Sequence, residues 1–438
     1  MSNAELAVLF SLQLAVILGV CRLVGFLAKK IGQPQVVGEM IAGVLMGPSL
    51  FGLVLPSWQH QIFPKGVPMS MIYVFSQVGL VLYMFLIGVE FDTALIRRRL
   101  RSAAWVSVAG IVTPLVLGGL LALQLIGHPG LFGHQISTLE AMFFLGAAIS
   151  ITAFPMLARI IFERGLAGTS LGTLALAAGS MNDAAAWCIL AGVLAVIKQN
   201  VFIAVFAIVG GILYAAITLL IGKPLLSRLG TLVERQGRIS GSVLALVLML
   251  LMVCAWLTDA VGIYSIFGGF ILGIAMPRGF FAKRLLDMLE PLVTNFMLPL
   301  FFVYSGLNTS LGLVNSWLLW GIAALVFLAA LFGKGISCWL AALLNKETNR
   351  EAMAIGTLMN ARGLMELILL NIGLQQGIIT PTLFTMLVLM AIVTTLMASP
   401  IFELVYGRYR AKNARSEQVT DSSPAKRVEA KVSVNAGN

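Results

Sequence analysis

The sequence predicts an all-α polytopic membrane protein of about thirteen transmembrane helices, built as an inverted-topology repeat with two broken helices. Composition is the first observation behind that expectation. The 438-residue chain is 59% hydrophobic and 11% charged, with a mean hydropathy of +0.97. Soluble domains carry about 25% charged residues, and a water-exposed surface cannot be assembled from so few. The apolar residues also gather into stretches long enough to cross a hydrocarbon core about 30 Å thick. Finally, matching motifs occur in the same order in the two halves of the chain.

With a window of about 19 residues, the apolar stretches run over 5–27, 34–55, 71–91, 103–127, 139–160, 169–197, 201–222, 239–258, 260–276, 289–307, 316–344, 350–373 and 381–406. The first has neither a basic n-region nor a small-residue cleavage site, so it reads as a retained span. Alternate loops are strongly basic. One set holds Lys29, Lys30, Arg97, Arg98, Arg99, Arg101, Arg159 and Arg164; the next holds Lys223, Arg228, Arg235, Arg238, Arg278, Lys283, Arg284, Lys346 and Arg350. Seven more basic residues lie in the tail, whereas Lys65 and Lys198 fall on the opposite side. By the positive-inside rule the N-terminus is expected outside and the C-terminus in the cytoplasm. The net charge of +11 is therefore topological, and no nucleic-acid partner is implied. Residues 407–438 form a polar tail without hydrophobic periodicity, expected to be disordered. Cys21, Cys188, Cys254 and Cys338 stand singly in apolar runs and form neither a disulfide framework nor a metal site.

Gly38–Pro48 (GEMIAGVLMGP) resembles Gly268–Pro277 (GGFILGIAMP), and Leu80–Asp92 (LVLYMFLIGVEFD) resembles Leu298–Thr309 (LPLFFVYSGLNT). Each half then has a span followed by a helix with polar residues at its middle, Ser150-Ile-Thr-Ala-Phe-Pro155 and Asn360-Ala-Arg-Gly363. Spans 1–6 thus pair with spans 8–13, and span 7 connects them. An offset of seven spans makes the second copy enter the membrane from the opposite face. Secondary transporters use this design, with their site at the repeat interface near the midplane.

Ionisable groups inside spans cost at least about 2.5–3.5 kcal/mol and need a partner and a task. Arg22 lies near an inner end and can snorkel; Lys334 and Arg362 lie well inside, as do Glu39, Glu90, Asp183 and Glu366. Asp183 is the focus, within Gly179-Ser-Met-Asn-Asp-Ala-Ala-Ala-Trp187. Small neighbours leave room for a pocket, and Asn182 offers an amide oxygen beside the carboxylate. Hard monovalent cations want such oxygen ligands. Ser150 and Thr152 add hydroxyls, and Pro155 cannot continue the helical ladder. The cation ligands expected from the residues are therefore Asp183, Asn182 and Thr152, with Ser150 beside them. Lys334 is the expected charge partner of Asp183. Arg362 is expected to satisfy carbonyls of the broken helices or to pair with Glu366 one turn on. The plainer readings are a structural aspartate neutralised by Lys334 and an ordinary proline kink at Pro155. Glu39 and Glu90 suit packing or helix-end roles. No cofactor is expected.

These stretches carry a family likeness. Pro34-Gln-Val-Val-Gly-Glu39, Ser150–Arg159, Asn182-Asp-Ala-Ala-Ala-Trp187, Leu298-Pro-Leu-Phe-Phe302, Gly333-Lys-Gly335 and Leu358–Glu366 resemble the cation/proton antiporter-2 family, nearest its plant cation/proton exchanger branch and bacterial relatives. The likeness covers about residues 5–406. It implies two crossing broken helices, a homodimer, and a core that slides against a dimerisation panel. The implied division is panel helices at 1–102 and 239–315, core helices at 103–198 and 316–406, a connector at 199–238, and the tail at 407–438. It also implies an ion-site pair at Asn182 and Asp183, a core lysine at Lys334 and a crossing-helix arginine at Arg362. Two departures stand out. Electrogenic relatives have a second aspartate where this chain has Asn182, and Asn308 replaces a basic residue common in plant-type members.

The expected activity is antiport of a monovalent cation, K⁺ or Na⁺, for H⁺ in a bacterial inner membrane, electroneutral with Asn182 neutral provided that Lys334 stays protonated, and electrogenic if Lys334 also releases its proton. The partners are then the cation, the proton, the lipid bilayer and a second copy of the chain. A gated K⁺ efflux channel of the same fold is the alternative. An intramembrane enzyme fits poorly, since His60, His128 and His134 fall in outside loops and no HExxH occurs. A carrier of organic solutes would want a roomier, aromatic-lined site.

Overall fold

The computed structural model describes residues 2–33, 35–91, 100–133, 135–164, 166, 169–197, 201–261 and 265–407. The tail 408–438, Arg97 to Arg99, Lys198, His134 and the side chains of Pro155, Arg159 and Trp187 lie outside that description.

The described residues are mostly helical, and no strand occurs among them beyond an isolated bridge between Phe132 and Ile379. The first half comprises α1 (Asn3–Lys30), α2 (Gln35–Met46), the short α3 (Phe51–Val54) and α4 (Pro56–Ile62), α5 (Val67–Glu90), α6 (Leu100–Leu125), α7 (Thr138–Ser150), α8 (Phe154–Glu163) and α9 (Ser170–Ile197). After α10 (Val201–Ile217) and α11 (Lys223–Gln236), the second half runs α12 (Gly241–Ala260), α13 (Ser265–Ala275), α14 (Phe280–Leu292), α15 (Leu298–Leu307), α16 (Trp317–Leu344), α17 (Asn349–Leu358), α18 (Leu364–Gln375) and α19 (Pro381–Phe402). Each predicted span falls on one of these helices or on a broken pair. Among the described residues, nine helices are long and apolar enough to cross a membrane by themselves. Large apolar side chains such as Phe202, Phe206, Leu220, Trp256 and Trp317 point outward, which suits lipid and would be unstable in water.

Two packed groups emerge from the contacts. In one, α2 lies against α1 and α15, α5 against α13 and α15, and α12 against α13. In the other, α6 lies against α7, α9 and α16, while α16 also meets α17 and α19. The repeat expected from the motifs is visible as contacts made twice. Gly43 of α2 crosses Gly306 of α15, and their motif equivalents Gly273 of α13 and Gly88 of α5 cross in the same way. A Cβ on Gly306 would sit 2.2 Å from the Gly43 carbonyl carbon, and one on Gly88 would sit 2.2 Å from the Phe270 oxygen. Small residues let backbones approach closely where apolar lipid gives no other driving force.

The broken helices repeat one another too. Ser137 caps α7, accepting from the Glu140 amide at 3.3 Å while Glu140 accepts from the Ser137 amide at 2.6 Å. Thr348 and Glu351 form the same reciprocal cap at the start of α17. Such boxes satisfy amides that a helix start leaves open. Both helices then lose regular structure at mid-span, over Ile151–Ala153 and Ala361–Gly363, and resume as α8 and α18.

Candidate functional site

The two breaks cross and are tied to each other. The Ala153 amide donates to the Ala361 carbonyl at 3.0 Å, and the Thr152 hydroxyl donates to the Met359 carbonyl at 3.2 Å. Backbone groups freed at membrane depth need partners, and each break supplies them for the other.

The remaining carbonyls belong to the last turn of α7, where unpaired oxygens and the negative end of the helix dipole coincide. Two buried cations close it. Arg362, fully buried, donates through Nη2 to Ile149 O at 2.6 Å and through Nη1 to Ala148 O at 3.2 Å. Lys334, also fully buried, donates through Nζ to Ser150 O. Arg362 pairs in addition with Glu366 at 3.4 Å, one turn along α18, where the acid faces the positive start of that helix. Thr395 of α19 holds the arginine's backbone on both sides, accepting from the Arg362 amide at 3.0 Å and donating to its carbonyl at 2.9 Å.

Opposite this cationic cap lies α9. Asn182 and Asp183 are each 1% exposed. The Asn182 amide nitrogen donates to the Thr152 hydroxyl at 3.1 Å, which orients its carbonyl oxygen away from the break. Among the described residues, that oxygen and both carboxylate oxygens of Asp183 have no hydrogen-bond donor. The Phe154 amide, at the start of α8, lies on the carboxylate's side of the site but closes no bond with it. A carboxylate buried without a partner is strongly disfavoured, so this arrangement calls for a proton or a cation. The donor set (a carboxylate, an amide oxygen and a neighbouring hydroxyl) is that of a hard cation. The Ser150 hydroxyl donates back to Ala147 O at 3.0 Å, and it adjoins the site through its backbone carbonyl.

One expected contact is absent. The sequence set Lys334 against Asp183, yet the described contacts contain no ion pair between them. Lys334 gives its ammonium instead to the Ser150 carbonyl, beside the carbonyls that Arg362 covers, and Asp183 has no ion pair among the described residues. Glu39 accepts from Gln35 Nε2 at 2.9 Å within α2, and Asn308 donates to Tyr304 O at 2.9 Å at the end of α15.

Two residues escaped the sequence reading. Thr395 is one of a threonine pair in an apolar span, and that pairing is a faint signal for a hydroxyl strut. Gly110 of α6 faces the site: a Cβ there would lie 2.6 Å from Cys338 Sγ, 3.8 Å from Asn182 Nδ2 and 4.0 Å from Lys334 Cε. Nothing distinguishes it by sequence from the other 43 of the chain's 44 glycines.

A repeat of inverted topology, crossing broken helices and an unpaired buried carboxylate define a membrane carrier of the cation–proton antiporter class. The chain belongs to the sodium/hydrogen exchanger family, whose transmembrane model matches residues 15–405. It is 40% identical over 396 residues to the Na⁺/H⁺ antiporter NhaS4 of Synechocystis, covering 89% of this chain and 95% of that one. It is also 34% identical over 413 residues to Cation/H⁺ antiporter 18 of Arabidopsis thaliana, covering 93% and 50%. With K⁺/H⁺ antiporter 1 of Saccharomyces cerevisiae the identity is 33% over 406 residues, covering 91% and 46%. The chain thus spans about half the length of these plant and yeast relatives. In three dimensions it is similar to the sodium proton antiporter MjNhaP1 of Methanocaldococcus jannaschii, with a TM-score of 0.61, 16% identity, and 91% and 96% of the two chains covered.

Proposed function

We propose that this chain exchanges one monovalent cation, K⁺ or Na⁺, for one proton, with Asp183 as the carrier group. The observation behind this reading is the buried Asp183–Asn182 acceptor set without a donor. An empty, ionised Asp183 in that position is unstable, so the site crosses loaded, with either H⁺ or the cation but not both. Asn182 contributes an uncharged oxygen, and the Thr152 hydroxyl proton is committed to Met359 O. Lys334, which donates to Ser150 O, is taken to stay protonated throughout the cycle. The two loaded forms then carry equal charge, and the exchange is electroneutral. Both Na⁺/H⁺ and K⁺/H⁺ antiporters stand among the relatives, which supports the cation class without choosing between them.

Movement is proposed to be of the elevator type. The core helices of 103–198 and 316–406 shift against the panel helices of 1–102 and 239–315, and 199–238 connects them. Asn371 to Ser305 at 2.8 Å and Gln33 to Leu396 O at 3.1 Å are hydrogen bonds between the two groups that such a shift breaks and remakes. The chain is further proposed to sit as a homodimer in a bacterial inner membrane, N-terminus outside and C-terminus cytoplasmic.

The test is proteoliposome exchange read with an internal pH dye, adding Na⁺, K⁺, Li⁺ or choline with and without a clamped voltage. Cation-driven dequenching that ignores voltage and vanishes in Asp183→Asn, with that variant still folded in the bilayer, is the expected result. Undiminished exchange in Asp183→Asn removes the carrier assignment; voltage-driven K⁺ current without proton coupling makes the protein a channel.

A further inference from the structure

The side of the core group that faces away from the crossing carries a groove between α6 and α16, with a cavity of about 730 Å³. That size falls within the range of about 300–1,000 Å³ typical of small-molecule sites. Along most of its length the wall is apolar: Trp105, Phe332 and Leu340 line it and are 57%, 53% and 48% exposed. Polar character gathers at one end. Arg101, in the first turn of α6, and Asn345, just past the end of α16, line that mouth. The Arg101 side chain is exposed and has no partner among the described residues, and its planar, always-charged fork suits a phosphate. An occupant must therefore be long and apolar with a negative charge at one tip. The groove opens where the surrounding medium is lipid.

From this we infer that the α6–α16 groove binds an anionic glycerophospholipid, its phosphate on Arg101 and an acyl chain along Trp105 and Phe332, and that the lipid braces the helix turn carrying Lys334. The coupling follows from what the wall is made of. Gly333 and Ser337 line the groove, one residue before Lys334 and three after it. The Ser337 hydroxyl donates to the Lys334 carbonyl at 3.0 Å. Ala109, on the facing wall, adjoins Gly110, which abuts both Asn182 and Lys334. A chain seated in the groove thus presses on the turn whose ammonium caps α7. This coupling rests on the proposed role of the site, whereas lipid binding does not.

The experiment uses the full chain, purified and delipidated, with dioleoyl phosphatidylglycerol and dioleoyl phosphatidylcholine as probes, and reads retained lipid by native mass spectrometry. Preferential retention of phosphatidylglycerol is expected. It falls about fivefold in Arg101→Gln, the effect of one basic residue on an anionic headgroup, and it falls for both lipids in Thr113→Trp, which fills the groove from its lipid-facing side. Asp183→Asn protein should retain the lipid like wild type. Equal retention of the two lipids, or retention unchanged in both groove variants, overturns the site. Exchange should run faster in phosphatidylglycerol vesicles than in phosphatidylcholine for wild type and lose that preference in Arg101→Gln; equal rates with the groove occupied overturn the coupling. If no exchange occurs in either lipid while retention still follows Arg101 and Thr113, the antiport reading falls and the lipid site stands.

Discussion

At the residue scale, the site spends its two buried cations on backbone and leaves its central carboxylate bare. Lys334 and Arg362 both serve the carbonyl end of α7, so the positive charge near Asp183 is fixed to the scaffold. In the proposed mechanism this keeps the local field constant while the carboxylate changes its occupant. The strut behind it is Thr395, which holds the Arg362 amide and carbonyl together. Thr395→Val leaves a buried amide without its acceptor, a loss of about 1–3 kcal/mol. A lower melting temperature in detergent is expected, together with slower exchange. Thr394→Val should stay near wild type, because Thr394 bonds only within its own helix turn, to Met390 and Ala391 carbonyls. Equal melting of the two variants would show that Thr395 holds nothing. The proposed carrier pair drew attention in the sequence because an acid inside an apolar run is conspicuous. The direction taken by Lys334 was not legible there, because its oxygen partner sits 184 residues away and is a backbone atom, which leaves no mark on side-chain pattern.

At the element scale, the same glycine crossing occurs twice. Gly43 of the first half meets Gly306 of the second, and Gly88 of the first meets Gly273 of the second. Gly306→Leu would force α2 and α15 apart, since even a Cβ comes within 2.2 Å of the facing backbone. Gly88→Leu should do the same to α5 and α13, whereas a Cβ at Gly312 meets nothing within 4 Å, so Gly312→Leu should be tolerated. Size-exclusion profiles of detergent extracts should therefore lose the folded peak for the first two and keep it for the third; a normal peak for Gly306→Leu would mean the helices have slack. The motif pairs that contain these glycines were visible in the sequence, and so was the existence of a repeat. Which glycines touch could not be read there, because each meets its partner across the repeat boundary rather than within its own half. The capping boxes at Ser137 and Thr348 are local and had a signature, serine or threonine followed three residues later by glutamate, which marks both broken helices at the same point.

At the scale of the whole molecule, the apolar exterior suits a bilayer, and the basic loops support the proposed orientation with those loops in the cytoplasm. In a background with Cys21, Cys188, Cys254 and Cys338 changed to Ala, a membrane-impermeant maleimide should label Gly127→Cys in intact cells. Arg235→Cys should react only after permeabilisation. The opposite pattern would invert the proposed orientation.

The sequence by itself determined the medium, the span pattern, the repeat and the acid at its centre. Each of these follows from transfer energy: apolar length and the rarity of buried charge are properties of single residues and short windows. The tertiary structure decided which oxygens stay unpaired, which carbonyls the two cations cover, and where a groove opens behind Lys334. Those outcomes depend on helices far apart in the chain meeting at angstrom separations, and hydrogen bonds are won or lost only at that range.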